Sequence, residues 1–251
     1  MPRPVTLITG ASAGLGAEFA RACARRGEAL LLVARRRDRL EALAADVGGG
    51  EIIVADLSEA GAARRLLDEA AARGLTVSTL INNAGFGLYG PFLGHAAERQ
   101  AEMVDLNVRT LTELTRMVLP DMVARGEGAI LNVASTAAFQ AGPNMAVYFA
   151  TKAYVLSLTE ALHQEMKGTG VKVSALCPGP TATEFGEIAG VSGKSFSKLS
   201  ADARSVVAEG LKGLDANKAV VIPGLVNKVT AQSGRVIPRA AMRRIVARLK
   251  P

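Results

Sequence analysis

The sequence predicts an α/β fold, one domain spanning residues 1–251 and built on a doubly wound parallel sheet of about seven strands with helices on both faces. Three observations carry this. Short aliphatic runs alternate with helix-length segments rich in Ala, Arg and Leu. The runs are nearly uninterrupted, as in Ala29-Leu30-Leu31-Leu32-Val33 and Val77 to Ile81, which is how strands covered on both faces read. A glycine-rich turn follows the first run and opens into a helix.

In chain order, strands are expected at about 4–9, 29–33, 51–55, 77–81, 128–134, 171–177 and 219–222. The stretches between them are long enough for crossover helices, including a long one at 95–124 and another at 145–167. No Pro/Ser-rich linker divides the chain and no solenoid repeat appears. A Gly-, Ser- and Lys-rich stretch at 184–200 leads to a helix capped by Ser200, and 184–214 is expected to form a substrate loop.

With 49% hydrophobic and 21% charged residues, the composition is that of a globular protein. Trp is absent and aromatics make up 4%, so packing must rest on Ala, Leu and Val. Cys23 and Cys177 are too few for a disulfide framework and read as small buried hydrophobes. No signal peptide and no membrane-spanning run is legible, so a cytoplasmic, reducing setting is expected. His95 and His163 lack companions at metal-ligand spacing, and no metal site is expected.

The net charge of +7 is unevenly placed. Asp215 is the last acidic residue, and the eight basic residues after it exceed the net charge, so residues 1–215 sum to −1. This is a near-neutral body with a basic tail, which argues against a nucleic-acid-binding domain.

The turn reads Thr9-Gly10-Ala11-Ser12-Ala13-Gly14-Leu15-Gly16. Its glycines allow a tight turn and close approach of backbone to a pyrophosphate, which the helix N-terminus then faces with free N–H groups. The second strand ends in Val33-Ala34 and is followed by Arg35-Arg36-Arg37. In a dinucleotide-binding Rossmann fold this turn faces the adenosine ribose, where a carboxylate favours NAD and guanidinium groups favour the 2′-phosphate of NADP. Arg35 is the first choice for that contact and Arg36 the second. Asp56-Leu57 and Asn83-Ala84-Gly85 follow the third and fourth strands, on the sheet edge where ligands bind.

Tyr148 and Lys152 are four apart in a helical segment, hence on one face. Ser135 ends the fifth strand, and Asn107 lies in the long helix before it. A tyrosine titrates near about 10 and is a poor base at neutral pH. A neighbouring ammonium is expected to lower that value, and a hydroxyl to hold the reacting oxygen.

TGASAGLG, NNAG, Ser135 with YFATK, and CPGPT fall in the order and spacing of the short-chain dehydrogenase/reductase superfamily, classical subgroup, over about residues 4–183. VARRRDRL and CPGPTATEF most resemble a bacterial NADP-dependent short-chain oxidoreductase branch. The resemblance implies that Tyr148 is proton donor in reduction and base in oxidation. Lys152 would hold the nicotinamide ribose, Ser135 the substrate oxygen, and Asn107 a proton-relaying water. It also implies that Gly10, Ser12, Ala13, Gly14, Leu15 and Gly16 hold the pyrophosphate and ribose, and that Asp56 and Leu57 meet the adenine. Asn83, Ala84 and Gly85 would lie under the adenosine ribose, and Pro178, Gly179 and Thr181 beside the carboxamide. Some NADP enzymes carry a basic residue within the turn; here position 13 is Ala.

The expected activity is therefore NADP(H)-dependent hydride transfer to or from a small carbonyl or alcohol substrate of apolar character. The alternative is a regulatory protein that senses NADPH without turnover, although such proteins usually lose the tyrosine or lysine. Phe139, Met145, Phe185 and Phe196 are candidates for an apolar lining. The 95–124 helix offers Met103, Leu106, Leu111, Leu114 and Val118, read as more apolar surface than one face needs, so a homodimer or homotetramer is expected. The tail, about 238–249, puts Met242, Ile245, Val246 and Leu249 on one helical face with Arg239, Arg243, Arg244 and Arg248 away from it. It admits two readings: a helix docked on the body or a neighbouring subunit, or a peripheral membrane contact on anionic lipid.

Overall fold

The computed structural model describes residues 2–191, 200–234 and 236–248. Its centre is a seven-stranded sheet of β1 (Arg3–Thr9), β2 (Leu30–Ala34), β3 (Glu51–Val54), β4 (Leu75–Asn82), β5 (Gly128–Val133), β6 (Val171–Leu176) and β7 (Val220–Val221). All pairs are parallel, in the order β3-β2-β1-β4-β5-β6-β7. The chain runs outward from β1 to β3, then returns to start β4 on the other side of β1. That reversal splays the connections apart at the carboxyl edge and leaves a crevice there.

The uninterrupted apolar runs are explained by two separate core layers. Leu7, Leu31, Leu80 and Ile130 pack on one face, while their neighbours Ile8, Leu32, Ile81 and Leu131 pack on the other. Successive strand residues point to opposite faces, so a strand covered twice must be apolar at every position. The first layer is closed by α3 (Ala62–Ala72) and α5 (Leu111–Arg125) through Leu66, Leu114 and Val118. The second is closed by α1 (Gly14–Arg25), α2 (Arg37–Asp46) and α8 (Ala203–Asp215) through Phe19, Leu40 and Val207. The N-cap of α8 is Asp202, whose carboxylate accepts from Ser205 N at 3.0 Å, not Ser200.

The expected 95–124 helix is composite. It comprises α4 (Ala97–Val104), a π-helical stretch over Asp105–Thr110, and α5. Met103, Leu111, Leu114 and Val118 are buried within the chain itself and Leu106 is partly covered. The apolar surplus read from the sequence is thus already spent internally, because this helix touches both the sheet and α6 (Ala146–Glu165).

A polar rung crosses the first layer. Asn82 Nδ2 donates to Asn132 Oδ1 at 2.9 Å and to Thr115 Oγ1 at 3.0 Å, and Asn132 Nδ2 donates to Thr159 Oγ1 at 3.0 Å. It ties α5, β4, β5 and α6 directly beneath the carboxyl edge, and an asparagine in register on each strand makes it.

The chain ends in α9 (Leu225–Ser233) and α10 (Arg239–Arg248), with a five-residue α7 (Phe185–Ala189) earlier. Phe196 and Leu249 lie outside the described residues, as does 192–199 of the expected substrate loop. Among the described residues no helix is long and apolar enough to cross a membrane, and no cluster of metal-ligating side chains occurs.

Candidate active site

A cleft of about 750 Å³ opens at the switch point between β1 and β4. Gly10 turns with φ +66° at the end of β1. At Gly16 a Cβ would lie 2.2 Å from the Gly10 carbonyl oxygen, so only glycine lets α1 start this close to the strand. The N-cap of α1, Ala13, offers no side-chain acceptor, which leaves the first N–H groups for a ligand. Thr9 Oγ1 accepts from the N–H groups of Asn83 and Ala84 at 3.0 Å each, and Asn83 Nδ2 donates to Thr9 O at 2.9 Å. These bonds lock the two loops that form the floor.

Of the residues expected in the site, Gly10, Ser12, Ala13, Gly14, Leu15, Arg35, Arg36, Asp56, Leu57, Asn83, Ala84, Gly85, Ser135, Tyr148, Lys152, Pro178, Gly179 and Thr181 all line this cleft. Gly16 and Asn107 stand one layer behind it. The π-helical stretch turns Asn107 inward, where its Oδ1 accepts from Phe86 N at 3.1 Å. Its Nδ2 donates to Phe86 O at 3.0 Å and Thr151 Oγ1 at 3.1 Å.

Ser135 caps a short 3-10 turn at Thr136–Phe139, and its Oγ accepts from Ala137 N at 3.1 Å and donates to Pro178 O at 3.4 Å. Tyr148 projects from the first turns of α6 and lines the cleft beside Ser135. One turn on, Lys152 Nζ donates to Val133 O at 2.7 Å and stands 5.8 Å from the Tyr148 ring centre.

Burial decides the electrostatics. It pushes the Tyr148 phenol up to about 12, against the opposing effect of the Ser135 side chain, and pushes the Lys152 ammonium down to about 8. The expected net lowering of the tyrosine is therefore not found: desolvation of the phenolate is the larger effect. Tyr148 carries its proton throughout the neutral range. Burial also pushes the Cys177 thiol up to about 12 and Cys23 higher still, so both are unreactive.

The mouth is charged. Arg35 faces Asp56 at 3.5 Å and Glu102 at 3.8 Å. Burial pushes the Asp56 carboxyl up, but hydrogen bonds from Ser58 and the Arg35 guanidinium outweigh it and hold it below the usual range. Arg36 donates to Ser12 Oγ at 3.1 Å and to Glu184 at 3.1 Å, and Arg39 holds the other oxygen of Glu184. Arg39 and Glu184 were not anticipated, since Arg39 reads as a helix-surface residue and Glu184 is 148 positions from Arg36.

The far end is apolar. Met145 and Phe185 line it as expected, but Phe139 lines a smaller neighbouring cavity instead. Phe86, Tyr89, Phe149 and Ile188 complete the wall, together with Val246 from α10. Phe86, one position after Asn83-Ala84-Gly85, was the one such residue a motif could have flagged.

Residues 4–189 match a model of the short chain dehydrogenase family. The chain belongs to that family. It is a family of NAD(P)-dependent oxidoreductases, and the glycine turn, the arginine mouth and the Ser135–Tyr148–Lys152 wall fit such a cofactor. A short-chain dehydrogenase from Sphingobium yanoikuyae, solved in complex with NADPH, is similar at 35% identity with a TM-score of 0.82, over 98% of this chain and 96% of that one. The ketoacyl reductase HetN of Nostoc sp. is 36% identical over 177 residues, 69% of this chain and 62% of that protein. The very-long-chain 3-oxoacyl-CoA reductase of Anas platyrhynchos is 30% identical over 228 residues, 86% of this chain and 71% of that protein.

Proposed function

We propose that this protein is an NADP(H)-dependent carbonyl reductase or alcohol dehydrogenase acting on an apolar substrate. The observation that carries the reading is the convergence of Ser135, Tyr148 and Lys152 on one wall of the cleft, with the tyrosine held protonated. The nicotinamide supplies or accepts the hydride when bound. Ser135 Oγ orients the substrate oxygen, and the Tyr148 hydroxyl gives that oxygen its proton as negative charge develops. Lys152, fixed by Val133 O, would hold the nicotinamide ribose through its remaining N–H donors and offer its charge to the phenolate left behind. In oxidation the same groups run in reverse.

Selection of NADP rests on Arg36 and Arg39. Both already hold an anion, the Glu184 carboxylate, and would exchange it for a 2′-phosphate. Arg35, tied to Asp56, is the outer contact. An apolar substrate fits the lining by Phe86, Met145, Phe149 and Phe185, and a relative named for very-long-chain 3-oxoacyl-CoA points to the same class. Pairing into a homo-oligomer rests on the exposed Tyr154 of α6 and Val104 of α4, not on the apolar residues already buried beneath them.

The test is an NADPH-oxidation screen over ketones, aldehydes and quinones, run beside Tyr148→Phe. A wild-type rate in that variant removes the mechanism. Cofactor binding with no turnover on any carbonyl class would support a sensing role instead.

A further inference from the structure

We propose that α9 and the following turn, with the basic α10, form a docking surface for an anionic lipid bilayer. The first observation is exposure. Leu225, Val226 and Val229 lie at i, i+1 and i+4 on α9 and are 79%, 76% and 72% exposed; Val236, in the turn after it, is 86% exposed. The opposite side of α9 is the one that packs. Ala231 is buried, and Asn227 stands against Gly179 while donating to Pro223 O at 2.7 Å. The helix is held in place without using its most apolar residues.

The second observation is charge. From Leu225 to the end the chain has Lys228, Arg235, Arg239, Arg243, Arg244, Arg248 and Lys250 and not one acidic residue. Hydrogen bonds from Val236 N and Ile237 N to Ser233 O fold the turn back, so α10 follows α9 directly. Met242 buries α10 against the body, while Arg239, Arg243, Arg244 and Arg248 are exposed.

The pairing of exposed aliphatic side chains with uncompensated cations selects the partner. A second copy meeting this patch across a two-fold axis would set the same cations against themselves, with no anion from the segment to answer them. A bilayer carrying anionic headgroups satisfies both features at once. The aliphatic side chains enter the acyl boundary, and the long basic side chains reach the phosphate layer with their stems along apolar surface.

The position matters because α10 is also part of the cleft wall through Val246, and the neighbouring Ile188 of that wall is itself exposed. Docking would hold the apolar end of the cleft at the membrane. This last consequence rests on reading the cleft as the active site; the docking itself does not.

The experiment is sedimentation of the full-length protein with vesicles of phosphatidylcholine alone or mixed with phosphatidylglycerol, at low and high salt. The proposal expects binding to the mixed vesicles only, weakened by salt. Replacing Leu225, Val226 and Val229 together by Asp should reduce that binding at least about tenfold, the scale of losing ~1.4 kcal/mol. NADPH affinity and melting temperature should stay unchanged, which separates loss of docking from loss of fold. A second variant, Arg243→Glu with Arg244→Glu, should do the same without touching the apolar face. Absence of binding to anionic vesicles, or binding insensitive to both variants, overturns the proposal. So does conversion of an oligomer to a monomer by the triple Asp variant in light scattering with no vesicle binding by either form, which would make the face a contact between copies. None of these readouts depends on turnover.

Discussion

The two ends of the cleft are built on opposite physical terms. At the catalytic end Ser135, Tyr148 and Lys152 sit on the ends of a strand and a helix, and Tyr148 and Lys152 are buried. At the end proposed for the cofactor phosphate, Arg35, Arg36 and Arg39 project from a loop and a helix start and are held by half-exposed carboxylates, with side chains 40–62% exposed. A buried polar group cannot find a new partner, so its loss is expensive. An exposed guanidinium exchanges partners with water and ions at little cost. On the proposed reading, chemistry is placed where geometry is fixed, and cofactor choice where it can be retuned.

The largest expected effect follows from that contrast. Tyr148→Phe should lower turnover by about 10²–10⁴-fold with NADPH affinity nearly unchanged, because the ring still packs and only the proton donor is gone. Steady-state kinetics beside cofactor titration would check it. A comparable loss from any single arginine of the mouth would break the comparison.

Next is Lys152. With its ammonium at about 8, carbonyl reduction should decline as pH rises through that value, while Tyr148, at about 12, stays protonated over the same range. The pH profile of kcat/KM should therefore show a falling limb near pH 8 that Lys152→Met abolishes along with most of the rate. A limb persisting in the variant would assign it to another group.

The polar rung tests burial without chemistry. Asn132→Leu deprives Asn82 of one acceptor and Thr159 of one donor, and should destabilise the protein by about 1–3 kcal/mol in urea unfolding. NADPH preference should not move.

At the exposed mouth the effects shrink. Arg36→Ala should weaken NADPH by about tenfold and NADH far less, since one charge-assisted contact is lost. Glu184→Gln should tighten NADPH by roughly twofold to fivefold, because it removes a competing anion from Arg36 and Arg39. Equal effects on both cofactors, read by fluorescence titration, would move the phosphate site elsewhere.

The same contrast explains what the sequence could and could not disclose. Strands buried on both faces announce themselves, and β2 was legible from Leu30-Leu31-Leu32-Val33 alone. Tyr148 and Lys152 were legible because one turn of helix links them. The Glu184 clasp was not, since nothing local ties it to Arg36. The direction of the tyrosine shift was misjudged because spacing shows the lysine but not the burial. Apolar residues counted along one helix likewise do not reveal that two neighbours already cover them, so the surplus expected on the 95–124 helix is absent from the surface. On α10 the inward face is narrower than its pattern suggested, with Met242 buried and Ile245 exposed.

The winding at Asp105–Thr110 bears on how such a site could arise. A π-helical stretch is an α-helix that has accepted one extra residue and swollen to hold it. Deleting one residue there would let α4 and α5 run as an ordinary α-helix, with each position before the cut turned by about 100° relative to those after it. Asn107 would then leave the backbone of Phe86 and the hydroxyl of Thr151. A one-codon insertion into a plain structural helix is thus enough to swing an amide beneath the catalytic floor, and a one-codon loss is enough to take it away.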